Sequence, residues 1–342
     1  MARILVTGGA GYIGSTTCKA LYAEGHEVTV YDNLSTGHEE FLIFGDFVRG
    51  DIRETHKLEH ELRSRGIEGV IHFAAKAYVG ESMVNPSIYY ENNVLGSLSL
   101  LQAMRAAGIR LLVFSSSCAV YGQPEQVPIK EDTMLKPMNP YGASKAMVER
   151  MCADFGEAYG LNTGILRYFN ACGTEHDLLV GERHDPEPHI IPRLLMAASG
   201  EIDCFEVFGN DYETEDGTCV RDYVHVSDLA DAHVLAFNRL YSGGSSFTCN
   251  LGTGIGFSIN QLISSAATTV GRGIPISYKK RRGGDPACLV SDPSNAAKLI
   301  GWTPKYSDIY TIMVSAWAWQ NRGMHKSRPS ESLLPLGASA TP

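Results

Sequence analysis

The sequence predicts an α/β fold in which a doubly wound parallel sheet is followed by a smaller, less regular C-terminal lobe. Three observations favour this class. Short apolar runs alternate with longer helical runs through residues 3–170, glycines separate the first run from the second, and the alternation stops after residue 170. Such alternation produces a parallel sheet with helices on both faces, and ligands bind outside the carboxyl ends of its strands.

The first element pair contains a glycine-rich turn. "RILV" predicts a buried strand, "STTCKALYAEG" a helix and "EVTVYDN" a second strand, with "TGGAGYIG" between the first two. Gly8, Gly11 and Gly14 carry no Cβ, so backbone N–H groups and a helix N-terminus can approach a pyrophosphate. Asp32, after the second strand, would accept both adenosine ribose hydroxyls and repel a 2′-phosphate. This Rossmann-type unit predicts bound NAD in preference to NADP.

The alternation continues through the first half of the chain. Strands are predicted at 69–75, 110–117 and 162–170, and long helices at 87–108 and 141–160. Strand-end residues expected beside a nicotinamide are Phe73, Ser115, Ser117 and Asn170. A helix and a strand after residue 221 are predicted to return to the large domain. We therefore predict an NAD-binding domain of 1–170 plus about 225–255, a substrate-binding lobe of 171–224 plus about 256–322, and a flexible tail of 323–342.

The segment "NPYGASKAMVER" places Tyr141 four residues before Lys145. On a helix these side chains project from one face, and a nearby cation lowers the pKa of a phenol. An isolated pair of this spacing is more often a surface feature. Next to Ser117 and a nicotinamide, however, the set suits alcohol–ketone chemistry. Tyr141 would take the hydroxyl proton, Ser117 would orient the oxygen, and Lys145 would hold the cofactor ribose.

Composition restricts the partners. The 342-residue chain has a net charge of −9, and "KKRRGG" (279–284) is its one dense cationic cluster, which argues against nucleic acid. No apolar run approaches about 18 residues, so no membrane span or secretory leader is predicted. Eight cysteines without CxxC or His/Cys zinc spacing predict reduced thiols in the cytoplasm and no metal site. Arg221 and one of Arg281 and Arg282 could pair with a diphosphate bidentately, although surface salt bridges would explain either one alone.

Taken in order, the motifs resemble one family. "VTGGAGYIGS", "YDNLSTGH", "SSSCAVYG", "NPYGASK", "RYFNACG", "YETEDGTCVRDYVHV" and "RRGGD" follow the order seen in UDP-glucose 4-epimerases, which are extended short-chain dehydrogenases/reductases. The resemblance covers roughly residues 3 to 322 and implies C4 epimerisation of UDP-glucose and UDP-galactose with NAD as a bound cofactor. It also implies a homodimer built from the helices at 87–107 and 141–158.

The resemblance further implies residue roles. NAD would be contacted by Gly8, Gly11, Tyr12, Ile13, Gly14, Asp32, Asn33, Asp51, Ile52, Phe73, Asn92, Ser115, Tyr141, Lys145 and Tyr168. The UDP-sugar would be contacted by Ser117, Tyr141, Asn170, Arg221, Arg282, Asp285 and Cys288. The small Cys288 would lie near the sugar's C2 substituent and leave room for an N-acetyl group.

Several alternatives stay open. "AYVGES" also occurs in relatives that act on UDP-pentoses, and UDP-N-acetylhexosamines are a further substrate class. Dehydratases and decarboxylases of this scaffold carry an acid where Cys118 and Ala119 stand here. An NAD-linked dehydrogenase would release NADH. A non-catalytic NAD-sensing protein would typically lack the tyrosine or the lysine, and this chain has both.

Overall fold

The structure is a computed structural model that describes residues 1–283 and 285–326, without the side chains of 323–326. Its strands are β1 (Arg3–Thr7), β2 (Glu27–Asp32), β3 (Asp46–Arg49), β4 (Gly69–His72), β5 (Leu111–Ser117), β6 (Asn162–Tyr168), β7 (Asn170–Cys172), β8 (Phe205–Phe208), β9 (Val220–His225), β10 (Phe247–Leu251), β11 (Gly256–Ser258), β12 (Ile276–Lys279) and β13 (Cys288–Leu289). Its α-helices are α1 (Tyr12–Ala23), α2 (Thr55–Ser64), α3 (Val79–Val84), α4 (Pro86–Tyr89), α5 (Gly96–Ala107), α6 (Pro140–Tyr159), α7 (Ile190–Ser199), α8 (Val226–Tyr241), α9 (Ile259–Val270), α10 (Ser294–Ile300) and α11 (Ile309–Lys326). Part of the predicted flexible tail, 323–326, is thus the end of α11, and 327–342 lie outside the described residues.

Seven parallel strands form the central sheet, in the order β10-β6-β5-β4-β1-β2-β3. The chain begins in the middle at β1, winds outward to β3, and then crosses back to β4 on the other side of β1. The strand order therefore reverses between β1 and β4, and ligands of such sheets bind at that point. The predicted Rossmann-type fold is confirmed.

Each face of the large sheet is covered by its own apolar core. On β1, Ile4 and Val6 belong to the core that includes residues of α1 and α8, whereas Leu5 belongs to the core with residues of α2, α5 and α6. This follows from the strand geometry, since successive side chains point to opposite faces. All three side chains are completely buried. Burial on both faces explains why "RILV" is a continuous apolar run.

The second half of the chain builds two smaller sheets. Strands β11, β9 and β13 pair in that order, β7 also pairs with β9, and β12 pairs with β8. Helices α7, α9 and α11 enclose a third core that contains Leu194, Leu262 and Ile312. Strand β10 lies beside β6 in the large sheet, and α8 packs against β4, β5 and β6 of that sheet. The boundaries between the two lobes stay a prediction.

A π-helical segment, Tyr90–Leu95, joins α4 to α5, so the predicted helix at 87–108 contains an irregular turn. Asn93, buried in this segment, accepts a hydrogen bond from the Lys76 backbone N–H at 2.8 Å and donates one to Ser144 Oγ at 3.0 Å. The irregular turn is thereby fixed to the loop after β4 and to α6. Within 1–283 and 285–326, no helix has both the length and the apolar character that crossing a membrane requires.

Candidate active site

The glycine-rich turn between β1 and α1 is closely packed. Gly8 has a left-handed φ of +72°, and a Cβ there would lie 2.6 Å from the Ala74 backbone nitrogen. A Cβ on Gly14 would lie 2.3 Å from the Gly8 carbonyl oxygen. Helix α1 begins at Tyr12, and its N-cap residue Gly11 has no side chain to accept from the first-turn N–H groups. The turn therefore presents backbone donors to an anion, as a pyrophosphate site requires.

Two carboxylates lie at the carboxyl ends of β2 and β3. Asp32 is buried and accepts hydrogen bonds from the backbone N–H groups of Ala10 at 3.1 Å and Leu34 at 2.8 Å. Burial raises its pKa. Asp51 accepts a hydrogen bond from Asn33 Nδ2 at 3.0 Å, and the Arg53 guanidinium lowers the pKa of the Asp51 carboxyl strongly. Ile52 follows as a buried side chain.

Aromatic and hydroxyl groups gather at the ends of β4, β5 and β6. Phe73 directly follows β4, and its ring centroid lies 4.5 Å from that of His233. Ser115 on β5 shares a 2.6 Å hydrogen bond with the hydroxyl of Tyr168 on β6. Because these strands are neighbours in the sheet, Phe73, Ser115 and Ser117 lie along one edge of it. Asn170, also expected beside the nicotinamide, instead begins β7 in a smaller sheet, because the predicted strand 162–170 ends at Tyr168. Asn92 lies in the π-helical segment and is partly buried.

The structure brings Ser117, Tyr141 and Lys145 together. Helix α6 starts with Pro140 behind an Asn139 cap, whose side chain accepts from the Gly142 N–H at 2.8 Å. Tyr141 is 7% exposed and interacts with the Ser117 hydroxyl at the end of β5. Lys145 Nζ lies 5.9 Å from the Tyr141 ring centre.

The predicted lowering of the Tyr141 pKa is wrong for the protein alone. Burial raises this pKa well above its ordinary value, the neighbouring Tyr168 raises it further, and Ser117 opposes the change. Lys145 does not compensate, because burial lowers its own pKa to about 7. Its Nζ donates to the Ser115 carbonyl oxygen at 2.7 Å. The helical spacing thus predicted correctly that Tyr141 and Lys145 are close, but it did not predict the direction of the Tyr141 pKa shift.

A buried ion pair, which the sequence analysis missed, supports these residues. Glu149 on α6 accepts from Arg167 Nη2 on β6 at 2.6 Å and from Ser116 Oγ on β5 at 2.5 Å. The Glu149 charge also favours the protonated form of Lys145. The available signal was spacing, since Glu149 stands four residues after Lys145 and shares its helix face.

The residues predicted to bind UDP lie on the smaller sheets. Asn170 starts β7, Arg221 lies on β9, and Cys288 on β13 pairs with Val220 beside Arg221. Arg221 is buried and forms an ion pair with Asp285. The four predicted residues Asn170, Arg221, Asp285 and Cys288 are therefore grouped around β9.

The two arginines that follow β12, Arg281 and Arg282, have different partners. Arg282 lies over the Phe208 ring, 3.8 Å from its centre. Arg281 instead forms an ion pair with Asp211 at 2.6 Å and stacks on Tyr212. Of the two, Arg282 alone forms no salt bridge to a carboxylate within the described residues.

The structure also assembles a side-chain cluster that sequence reasoning overlooked. Glu182, His184, Glu187 and His189 bring four ligand atoms within 4.8 Å of one another. The expectation of no metal site rested on Cys/His spacing. The alternating Glu-x-His-x-x-Glu-x-His run at 182–189 was the signal for this cluster.

Comparison with known proteins identifies the family. Residues 4–252 match the NAD dependent epimerase/dehydratase family. The chain belongs to this family. Among its members, the UDP-glucose 4-epimerase of Rhizobium meliloti (strain 1021) is 49% identical over 320 residues, which cover 94% of this chain and 97% of the relative.

Solved structures of the family agree. UDP-glucose 4-epimerase from Brucella ovis in complex with NAD is 50% identical with a TM-score of 0.91, covering 93% of this chain and 98% of that one. The Stenotrophomonas maltophila UDP-glucose-4-epimerase, with bound NAD and formylated UDP-arabinopyranose, is 39% identical with a TM-score of 0.92. The match covers 96% of this chain and 100% of that one. The resemblance to UDP-glucose 4-epimerases is confirmed.

Proposed function

We propose that this protein interconverts UDP-glucose and UDP-galactose by epimerisation at C4, with NAD as a bound cofactor. The observation that carries the proposal is the convergence of Ser117, Tyr141 and Lys145 beside a glycine-rich turn. NAD, when bound, supplies a hydride acceptor and donor, so that the net redox change is zero. The closely packed turn at Gly8 and Gly14 and the carboxylate of Asp32 fit the pyrophosphate and the ribose of this cofactor.

Each catalytic side chain has a distinct task. Tyr141 accepts the proton of the sugar 4-hydroxyl and later returns it, while Ser117 donates a hydrogen bond to the sugar oxygen. Lys145 is held by the Ser115 carbonyl at a distance at which its charge stabilises the tyrosinate. Because burial raises the Tyr141 pKa, the phenol stays protonated until positive charge is added to the site. The cationic nicotinamide ring of bound NAD would add such a charge beside Lys145, which burial alone leaves only partly protonated near neutral pH.

The UDP moiety fits the arginines near β9. Arg221 is prepositioned by Asp285, and Arg282 extends from the end of β12 over Phe208. Guanidinium groups pair with phosphates bidentately, and two of them match the charge of a diphosphate. Asn170 adds a side-chain amide from the neighbouring strand β7.

The variant Tyr141→Phe tests the proposal. We expect it to retain NAD and to convert UDP-galactose about 10²- to 10⁴-fold more slowly, because general-base catalysis is lost. Tyr159→Phe, which changes an exposed tyrosine on the same helix, is the matched control and should keep the parental rate. Conversion is measured by separating the two UDP-sugars while the absorbance of NADH is followed. Parental turnover by Tyr141→Phe would eliminate the mechanism.

The same assay separates the alternatives. Accumulating NADH would indicate a dehydrogenase, and bound NAD without any conversion would indicate a sensor. Dehydration or decarboxylation is disfavoured because Ala119 has no acidic group and burial raises the pKa of the Cys118 thiol to about 12. A panel of UDP-hexoses, UDP-N-acetylhexosamines and UDP-pentoses would identify the preferred sugar.

We also propose a homodimer that works in the cytoplasm. The predicted interface lies on the helices at 87–107 and 141–158, where Leu95 and Met147 expose apolar side chains. All eight cysteines are unpaired, which suits a reducing compartment. Sedimentation of the parent chain and of Met147→Glu tests the interface. A parent that sediments as a monomer at micromolar concentration would rule the dimer out.

A further inference from the structure

Four side chains in the segment 182–189 direct their ligand atoms toward a common point. Glu182, His184, Glu187 and His189 each contribute one oxygen or nitrogen, and these atoms all lie within 4.8 Å of one another. We propose that this cluster binds a divalent transition-metal ion, and that zinc is the ion that best fits its donors. None of the four residues is among those assigned to the cofactor or to the sugar.

The distances suit an ion at the centre. His189 Nδ1 lies 2.9 Å from Glu182 Oε1 and 2.9 Å from Glu187 Oε1. His184 Nδ1 lies 3.2 Å from Glu187 Oε2 and 3.9 Å from Glu182 Oε1. Tetrahedral zinc with bonds of about 2.0–2.1 Å holds its ligands about 3.3 Å apart. The observed separations lie on both sides of this value, and an ion would replace the hydrogen bonds of His184 and His189 to Glu187 after small side-chain adjustments.

The charge of the cluster also favours a divalent cation. The side chains of Glu182 and Glu187 are only 7% and 8% exposed. Among the residues that the structure describes, their salt-bridge partners are the two histidines, and no lysine or arginine pairs with either carboxylate. Buried carboxylates are costly unless they are paired or bind a metal. Two carboxylates and two imidazoles neutralise a divalent ion and are donors that zinc prefers.

The surroundings hold the donors in place. Tyr78 packs edge-on against the rings of His184 and His189, with centroids 5.6 and 6.0 Å away. Trp319 Nε1 donates to the Glu182 carbonyl oxygen at 2.9 Å. His189 is the N-cap residue of α7, whereas the preceding chain from residue 173 forms neither helix nor strand. An ion here would cross-link this loop to the start of α7 and stabilise it.

Metal titration of the full chain tests the site. The protein is treated with a chelator, dialysed, and titrated with zinc by calorimetry, and bound metal is counted by elemental analysis. We expect one zinc ion per chain and a higher thermal unfolding midpoint. Cobalt should give the intense visible absorption of a tetrahedral site. The variants His184→Gln and Glu187→Gln remove proposed ligands and should each weaken zinc binding by more than about 100-fold, the upper end of the cost of losing an outer-shell partner.

The control is His176→Gln, which removes an exposed histidine from the same loop and should leave zinc binding unchanged. Circular dichroism and retained NAD show whether each variant is folded. Failure of the parent chain to bind zinc, cobalt or manganese stoichiometrically would overturn the proposal whatever the variants do. Equal weakening by His176→Gln would overturn it as well, because zinc would then bind to surface histidines.

Discussion

The Gly14→Ala variant examines the glycine-rich turn that we propose binds NAD. The added Cβ would lie 2.3 Å from the Gly8 carbonyl oxygen and 2.9 Å from the Gly9 Cα, about 1 Å inside ordinary contact. These are backbone atoms, and Gly8 is itself held against the Ala74 backbone. The turn therefore cannot yield locally. Overpacking of this kind costs about 1–3 kcal/mol of folding free energy, and the part of it that distorts the turn is lost from NAD binding, so we expect NAD affinity to fall by up to roughly 150-fold.

Two further variants make the comparison specific. A Cβ on Gly11 meets only the Gly8 carbonyl oxygen, at 3.3 Å, so Gly11→Ala should unfold at nearly the parental temperature. Its Cβ would nevertheless crowd a pyrophosphate at the N-terminus of α1, and NAD affinity should fall. A Cβ added to Gly80 in α3 would have no neighbouring atom within 4 Å, so Gly80→Ala should lower neither the NAD affinity nor the unfolding temperature.

The assay is calorimetric titration of NAD into cofactor-stripped protein, together with thermal unfolding. Gly14→Ala should lower both the affinity and the unfolding temperature, whereas Gly11→Ala should lower the affinity alone. If Gly14→Ala binds NAD as tightly as the parent chain and unfolds at the same temperature, the account of the turn is refuted.

Three other predictions follow from the site. Asp32→Ala should weaken NAD and relax discrimination against NADP, with the exposed Asp46→Ala as control; continued exclusion of NADP would contradict the charge argument. Cys288→Tyr should suppress turnover of UDP-N-acetylglucosamine and spare UDP-galactose, whereas Cys288→Ser should spare both; equal loss of both activities in Cys288→Tyr would remove Cys288 as the size determinant. Burial lowers the His233 pKa to about 4 from 6.5, so unfolding takes up a proton between these values. The free energy of unfolding should therefore fall as pH decreases from 6.5 toward 4. The fall should be steeper in the parent than in His233→Gln by up to about 1.4 kcal/mol per pH unit, and equal slopes would disprove this.

The sequence predicted the structure best at positions where the backbone geometry accepts only one residue type. The turn at Gly8 requires a left-handed φ and Gly14 requires the absence of a Cβ, so both glycines were visible as a pattern. The strand Asp46–Arg49 was missed because only Val48 among its four residues is buried, which leaves no apolar run to detect. The π-helical turn was missed because no local periodicity marks it, and the hydrogen bonds that Asn93 makes from it reach residues distant in sequence.

Electrostatics at the site could not be predicted from spacing. The spacing of Tyr141 and Lys145 predicted that they are neighbours, and they are. The sign of the Tyr141 pKa shift depends on burial, which the surrounding elements create, and on the direction of the Lys145 ammonium, which points to the Ser115 carbonyl. The cluster at 182–189 likewise depends on a loop conformation that no regular periodicity describes.

The junction of β6 and β7 joins a residue proposed to bind the cofactor to one proposed to bind the sugar. Tyr168 ends a strand of the large sheet, Asn170 begins a strand of the small one, and only Phe169 separates them. Phe169 is buried in the core of the large domain, and its N–H donates to the Leu251 carbonyl oxygen at 3.1 Å. A hinge cannot operate across such a joint without breaking this packing. We therefore expect the cofactor and sugar anchors to move as one body, while substrate exchange is accommodated by the separate β8–β12 ribbon from which Arg282 extends.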